Sequence, residues 1–178
     1  MKVVEVKPLL HKGRYWNWVL VKVSTDDGII GYGDATDCPG EYAIASTIEA
    51  LASYVVGEDP FNIEKIWQKM YLGFYATGKI VNSAISGINN ALWDIAGKAL
   101  ETPVYNLLGG RCRDKIRLYA HCDAWEERDS PEANAEKARK LVDKGFTCLK
   151  THPSQRGNWK RHLVRQNRTL DNETIRNT

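Results

Sequence analysis

Apolar and polar positions alternate along the first 35 residues and then change period. Residues 2–9 and 15–24 read as strands, the second rich in β-branched and aromatic residues ("WNWVLVKVS"). "TDDG" at 25–28 supplies turn chemistry before a third strand, "IIGYGDA". This pattern predicts a three-stranded antiparallel meander. Apolar side chains then recur at helical spacing at Ile44, Ile48, Leu51, Ala52 and Val55, predicting a helix over 42–56. Asp59–Pro60 reads as the start of a second helix, whose stripe is Ile63, Ile66, Trp67, Met70 and Tyr71. A third helix is predicted over roughly 79–100. Beyond "LLGG" the order changes: a strand over 116–122, then a helix capped by Ser130 with Pro131 at its first position. Ala135, Ala138, Leu141 and Val142 form that helix's expected inner face, Gly145 ends it, and a strand follows over 146–150. Strand, helix and strand at this length make a βαβ unit of a parallel sheet. The architecture therefore changes near residue 115, from α+β to α/β.

The third helix carries Ile80, Ala84, Ile88, Ala91, Leu92 and Ile95 on one side, yet Ser83, Ser86, Gly87, Ala96 and Gly97 are small. A mid-helix glycine costs about 1 kcal/mol relative to alanine. Two of them imply that another backbone packs close. Asp94 and Lys98 stand at i and i+4 in the favourable order for a surface ion pair. These residues read as scaffold, not as catalysts.

Composition narrows the class. The 178 residues are 43% apolar and 26% charged, as in globular proteins. No apolar run approaches the roughly 18 residues of a membrane span. "MKVVEVKPLL" lacks a signal core, so the expected compartment is the cytoplasm, with no membrane partner. Cys38, Cys112, Cys122 and Cys148 form no CxxC pair; they are expected to be reduced and mostly buried. The net charge of +3 is a property of the tail. Residues 153–178 hold six basic groups against Asp171 and Glu173, which leaves −1 for residues 1–152. The tail has no periodic basic face and no nucleic-acid-binding motif, so no nucleic-acid partner is expected. Its scattered apolar residues carry no helix-start signal.

Residues 84–109 read A-x-S-G-I-N-x-A-L-x-D-I-x-G-K, four residues, then P-V-x-x-L-L-G. This resembles the mandelate racemase/muconate-lactonizing branch of the enolase superfamily, and the likeness extends over residues 1–152. Asn89 departs from the acidic residue or glutamine usual there. "GFYATGKIVNSAISGINNALWDIAGK" is most similar to the acid-sugar dehydratases, the galactonate and mannonate dehydratase-like group. The resemblance implies an α+β capping domain over residues 1–115 and the first strand–helix–strand of a modified TIM barrel over 116–152. Residues 153–178 are a polar, basic tail outside the family pattern. It also implies a Mg²⁺ ion in the complete enzyme, bound to the substrate carboxylate, and a base that removes the proton α to that carboxylate.

Two cap loops, 11–18 and 35–42, are implied to face the barrel mouth. In the first, Arg14, Tyr15, Trp16 and Trp18 suit a polar, hydroxylated substrate. The second barrel strand ends "LKTHP", where many family members carry Lys-x-Lys; the matching positions are Lys150 and His152, the candidate bases. The family's three acidic metal ligands belong to later strands, so no magnesium ligand is named and none is expected to bind this chain alone. The expectation is thus the N-terminal part of an aldonate dehydratase, inactive in isolation, whose complete form is a homo-oligomer acting on a sugar acid. A frameshift or misplaced gene end near Pro153 would account for the tail. The alternatives are racemase, epimerase or cycloisomerase chemistry, or a non-catalytic binding module completed by a partner chain.

Overall fold

Alternation in the first strands becomes a sheet with one covered face. The computed structural model describes residues 1–13, 16–74, 77–122 and 131–151. Strand β1 (Val3–Lys12) pairs antiparallel with β2 (Asn17–Thr25), which pairs antiparallel with β3 (Ile30–Asp34), giving the order β1-β2-β3. Val19, Val21 and Val23 alternate inward along β2 and are fully buried, with Val3 and Val6 of β1 beside them. Each such side chain contributes about 1.5–3 kcal/mol on leaving water. Their cover is helical: α1 (Glu41–Val55) packs on β1 and β2, and α3 (Lys79–Ala99) packs on β3 and β2. Helix α2 (Ile63–Gly73) lies against α1 and α3. Ile44, Ile48 and Leu51 of α1, Ile66 and Met70 of α2, and Ile88, Leu92 and Ile95 of α3 complete the core.

The small residues of α3 meet a backbone, as their spacing requires. A Cβ on Gly87 would fall 2.6 Å from the Cβ of Ala35 and 2.8 Å from Cγ2 of Val21. Across the contact, a Cβ on Gly33 of β3 would run into the Gly87 carbonyl, and one on Gly31 into that of Ala91. Helix and edge strand therefore touch main chain to main chain. The Asp94–Lys98 pair (2.7 Å) does more than decorate the helix. Asp94 accepts the backbone N–H of Tyr32 at 2.8 Å, and Lys98 donates to the Ile30 carbonyl at 2.7 Å. Two outward-facing polar groups of edge strand β3 are thus satisfied by side chains of α3.

Helix α2 begins later than Asp59–Pro60 predicts. Asp59 turns its carboxylate onto the N–H of Phe61 (3.0 Å), and its carbonyl takes the N–H of Asn62 (3.0 Å). An aspartate closing its own turn cannot also cap a helix, so the helix starts at Ile63. Trp67 and Tyr71 stack on the α2 surface at 5.0 Å. A short α4 (Val104–Leu107) follows Pro103.

The chain divides into two compact units, Met1–Cys112 and Arg113–Thr178. In the second, β4 (Ala120–His121) and β5 (Leu149–Lys150) pair parallel, and α5 (Pro131–Asp143) lies between them in sequence. Both strands are shorter than the expected 116–122 and 146–150. Ile116, Leu118 and Tyr119 are exposed, and among the described residues the ladder holds two residue pairs. On α5, Ala138 and Leu141 are half-buried while Ala135 and Val142 are exposed, so only part of the expected inner face turns inward. All four cysteines are free thiols, but Cys38, Cys112 and Cys148 are exposed and Cys122 alone is buried, against the expectation of mostly buried thiols. Three of them sit in loops, where no packed layer covers them. Ser130, the expected cap of α5, and the whole stretch 152–178 lie outside the described residues.

Candidate functional site

Chemistry-bearing side chains gather at one place in each unit. In the first unit, loop 35–40 leaves the end of β3 and enters α1. Thr36 accepts the Val19 N–H at 2.9 Å through Oγ1, while its own N–H donates to Asp34 at 2.7 Å. Glu41, the first residue of α1, accepts from the N–H groups of Gly40 (3.0 Å) and Asn17 (3.3 Å). Its own N–H and these two neighbours hold its carboxyl below the ordinary carboxylate range. The expected substrate loops, 11–18 and 35–42, are thereby joined at Glu41. Lys79, opening α3, makes a 2.7 Å ion pair with Asp37 and donates to the Cys38 carbonyl at 3.1 Å. Ser83 donates to the same carboxylate at 3.3 Å. The Lys79 hydrogen bond, foremost, keeps Asp37 below its usual value. A polar cleft of about 350 Å³ opens here, lined by Asp34, Thr36, Asp37, Lys79, Asn82 and Ser83 among others.

At the β1–β2 connection, Trp16 and Trp18 meet edge to face, with ring centroids 6.4 Å apart at 61°. Trp16 is half-buried, and Trp18 is 42% exposed. A Cβ on Gly13 would fall 2.9 Å from the indole nitrogen of Trp18, so the loop folds tightly onto that ring. Arg14 and Tyr15, the other expected substrate contacts, lie outside the described residues.

In the second unit, Lys150 stands at the end of β5. Its ammonium lies 5.7 Å from the centroid of the Tyr119 ring. His121, its register partner on β4, is also 5.7 Å ring to ring from Tyr119. The Lys150 carbonyl accepts the N–H of Cys122 (3.0 Å) and its thiol (3.3 Å), which fixes the strand ends side by side. Sequence reasoning names Lys150 but misses Tyr119 and His121. The available signal was the parallel pairing itself, because register partners on neighbouring parallel strands share a face. His152 lies outside the described residues. An amine, an imidazole and a phenol at adjacent strand ends are groups that can accept and deliver protons.

Among the described residues no three His, Cys, Asp or Glu side chains converge to hold a metal ion. No helix among them is long and apolar enough to cross a membrane.

Residues 10–109 match the family model described as mandelate racemase/muconate lactonizing enzyme, N-terminal domain. The chain is 42% identical over 134 residues to a D-galactonate dehydratase of Pectobacterium atrosepticum, covering 75% of this chain and 34% of that protein. It is 38% identical over 155 residues to a D-galactonate dehydratase of Klebsiella pneumoniae, covering 86% of this chain and 38% of that one. A solved structure of an enolase from Pantoea ananatis, with bound D-gluconate and Mg, superposes with a TM-score of 0.74 at 40% identity. That match covers 83% of this chain and 35% of the other. The chain spans about a third of the length of the curated relatives it matches.

Proposed function

The chain belongs to the mandelate racemase/muconate lactonizing enzyme family, and we propose that it contributes the cap and the first barrel segment of an acid-sugar dehydratase. The observation that carries this reading is the 42% identity to a D-galactonate dehydratase over 134 residues. In the proposal, residues 1–115 are the cap, residues 116–152 open the barrel, and 153–178 stand outside the catalytic fold. The 178 residues alone do not complete the reaction. The complete enzyme is a cytoplasmic homo-oligomer.

The substrate is an aldonate. A base removes the proton on the carbon next to the carboxylate, and the electron pair left behind expels the hydroxyl of the next carbon, which takes a proton from a general acid and leaves as water. The enol so formed takes up a proton and becomes a 2-keto-3-deoxy acid. Lys150 and His152 are the proposed bases, and His121 and Tyr119 shape the same strand ends. Barrel enzymes keep their chemistry there. Contact with the Tyr119 ring keeps the Lys150 side chain at this strand end. Histidine titrates near neutral pH and so can take up the proton. Arg14, Tyr15, Trp16 and Trp18 contact the sugar hydroxyls, with polar donors and flat apolar faces in one loop.

Magnesium in the complete enzyme would stabilise the charge that develops on the carboxylate. The described residues do not offer it three ligands, so no step here runs through it and its ligands are assigned elsewhere. Racemase or epimerase chemistry is the second reading, favoured by the family model's own description; it shares the proton removal but not the loss of water.

A chimera tests the proposal. Residues 1–150 replace the matching segment of the Pectobacterium relative, and D-galactonate and D-gluconate are supplied in heavy water. A 2-keto-3-deoxy product is expected. Deuterium uptake without elimination would favour the second reading, and a folded chimera doing neither would overturn both.

A further inference from the structure

Loop 35–40 is held at two ends and clamped in the middle. Its ends are tied through Thr36 and through Glu41, as described above. Between them, the clamps onto α3 come from the first turns of that helix. Lys79 reaches both the Asp37 carboxylate (2.7 Å) and the Cys38 carbonyl (3.1 Å), Ser83 adds a hydroxyl at 3.3 Å, and Ile80 lies directly beneath Gly40. Lys79 and Ser83 are one helical turn apart, so a single face of α3 grips consecutive loop residues. Lys79 is N-terminal to the 84–109 motif that carries the family resemblance.

We propose that Lys79 is a positioning residue: its ammonium, shared between a side-chain carboxylate and a main-chain carbonyl, selects one conformation of loop 36–40. An exposed ion pair alone is worth little. The second bond, to a main-chain oxygen, is what turns a surface pair into a constraint on the backbone. This rests on the reading that loop 35–42 meets the substrate, because a positioned loop then sets the distance between the cap and the sugar hydroxyls. Lys79 itself is turned to Asp37 and Cys38 and touches the substrate in no step.

Amide hydrogen exchange on the 178-residue chain, read peptide by peptide, tests the clamp without any sugar acid present. Lys79→Met keeps the length of the side chain and removes its charge; Lys79→Arg keeps the charge. The expected result is exchange about tenfold faster at residues 37–40 in Lys79→Met, with α1 and the middle of α3 within about twofold of the parent, because local opening leaves the global unit intact. Lys79→Arg should restore the parent rate. Unchanged loop exchange in Lys79→Met would overturn the proposal, as would failure of Lys79→Arg to restore it. A matching rise in α1 and α3 would also overturn it, since Lys79 would then support the whole unit. The experiment contains no substrate, so a working clamp with an inactive chimera would refute the dehydratase reading and leave the clamp standing.

Discussion

At the scale of single residues, absent side chains and paired charges govern the first unit. Gly33 and Gly87 let a strand and a helix touch through their backbones. Gly33→Ala gains at most about 1 kcal/mol from a stiffer unfolded chain. It must also push a backbone carbonyl aside, and overpacking costs about 1–3 kcal/mol even where side chains can yield. The clash wins. Urea unfolding should show a loss of about 2 kcal/mol, whereas Gly78→Ala, with nothing within 4 Å of its new Cβ, should be close to neutral. Glu58 provides a pH signature. It pairs with Lys65 at 2.9 Å and also with Lys69, and these two hydrogen bonds lower its carboxyl from 4.5 to about 2. A carboxyl depressed in the folded state stabilises fully above its unfolded value and loses that contribution as the pH falls through the folded one. The melting temperature should therefore fall between about pH 4.5 and pH 2, and Glu58→Gln should flatten that part of the profile.

At the scale of elements, Asp94 and Lys98 join α3 to the free edge of β3. Asp94→Ala leaves the Tyr32 N–H without its protein acceptor. Water reaches this edge, so the expected cost is about 1 kcal/mol, the net worth of an ordinary hydrogen bond. Faster exchange of the Tyr32 amide than of Val21 and Val23 would check it. Much of this architecture was legible beforehand. The alternating valines of β2 announced a half-buried strand, and the glycines of α3 announced a close neighbour, because each signal lies within one element. What escaped depended on partners far away in sequence. Asp59 spent its carboxylate on a turn, a choice between two local uses that the residue type leaves open. The apolar stretch 116–122 matches a strand, yet pairing beyond Ala120 and His121 requires a neighbour that local sequence does not name. His121 was invisible as a site residue for the same reason, since its place beside Lys150 follows from register.

At the scale of the whole molecule, the two units carry different parts of the proposed reaction. In the proposal the first supplies Trp16, Trp18 at the start of β2 and Glu41 at the start of α1, and the second supplies strand ends bearing His121 and Lys150. Family membership follows from residues 10–109, all within the first unit. The proposed chemistry rests on the second, where Lys150 is the described one of the two proposed bases. The most direct measurement is therefore α-proton exchange of D-galactonate in heavy water by the chimera described above, with and without Lys150→Met. The account predicts that this substitution slows exchange by about 10²–10⁴-fold, the usual loss of a general base, while the variant's melting temperature stays near the parent's. Exchange at the parent rate in a folded Lys150→Met chimera would contradict it, and Lys150 would then be a surface lysine resting on Tyr119.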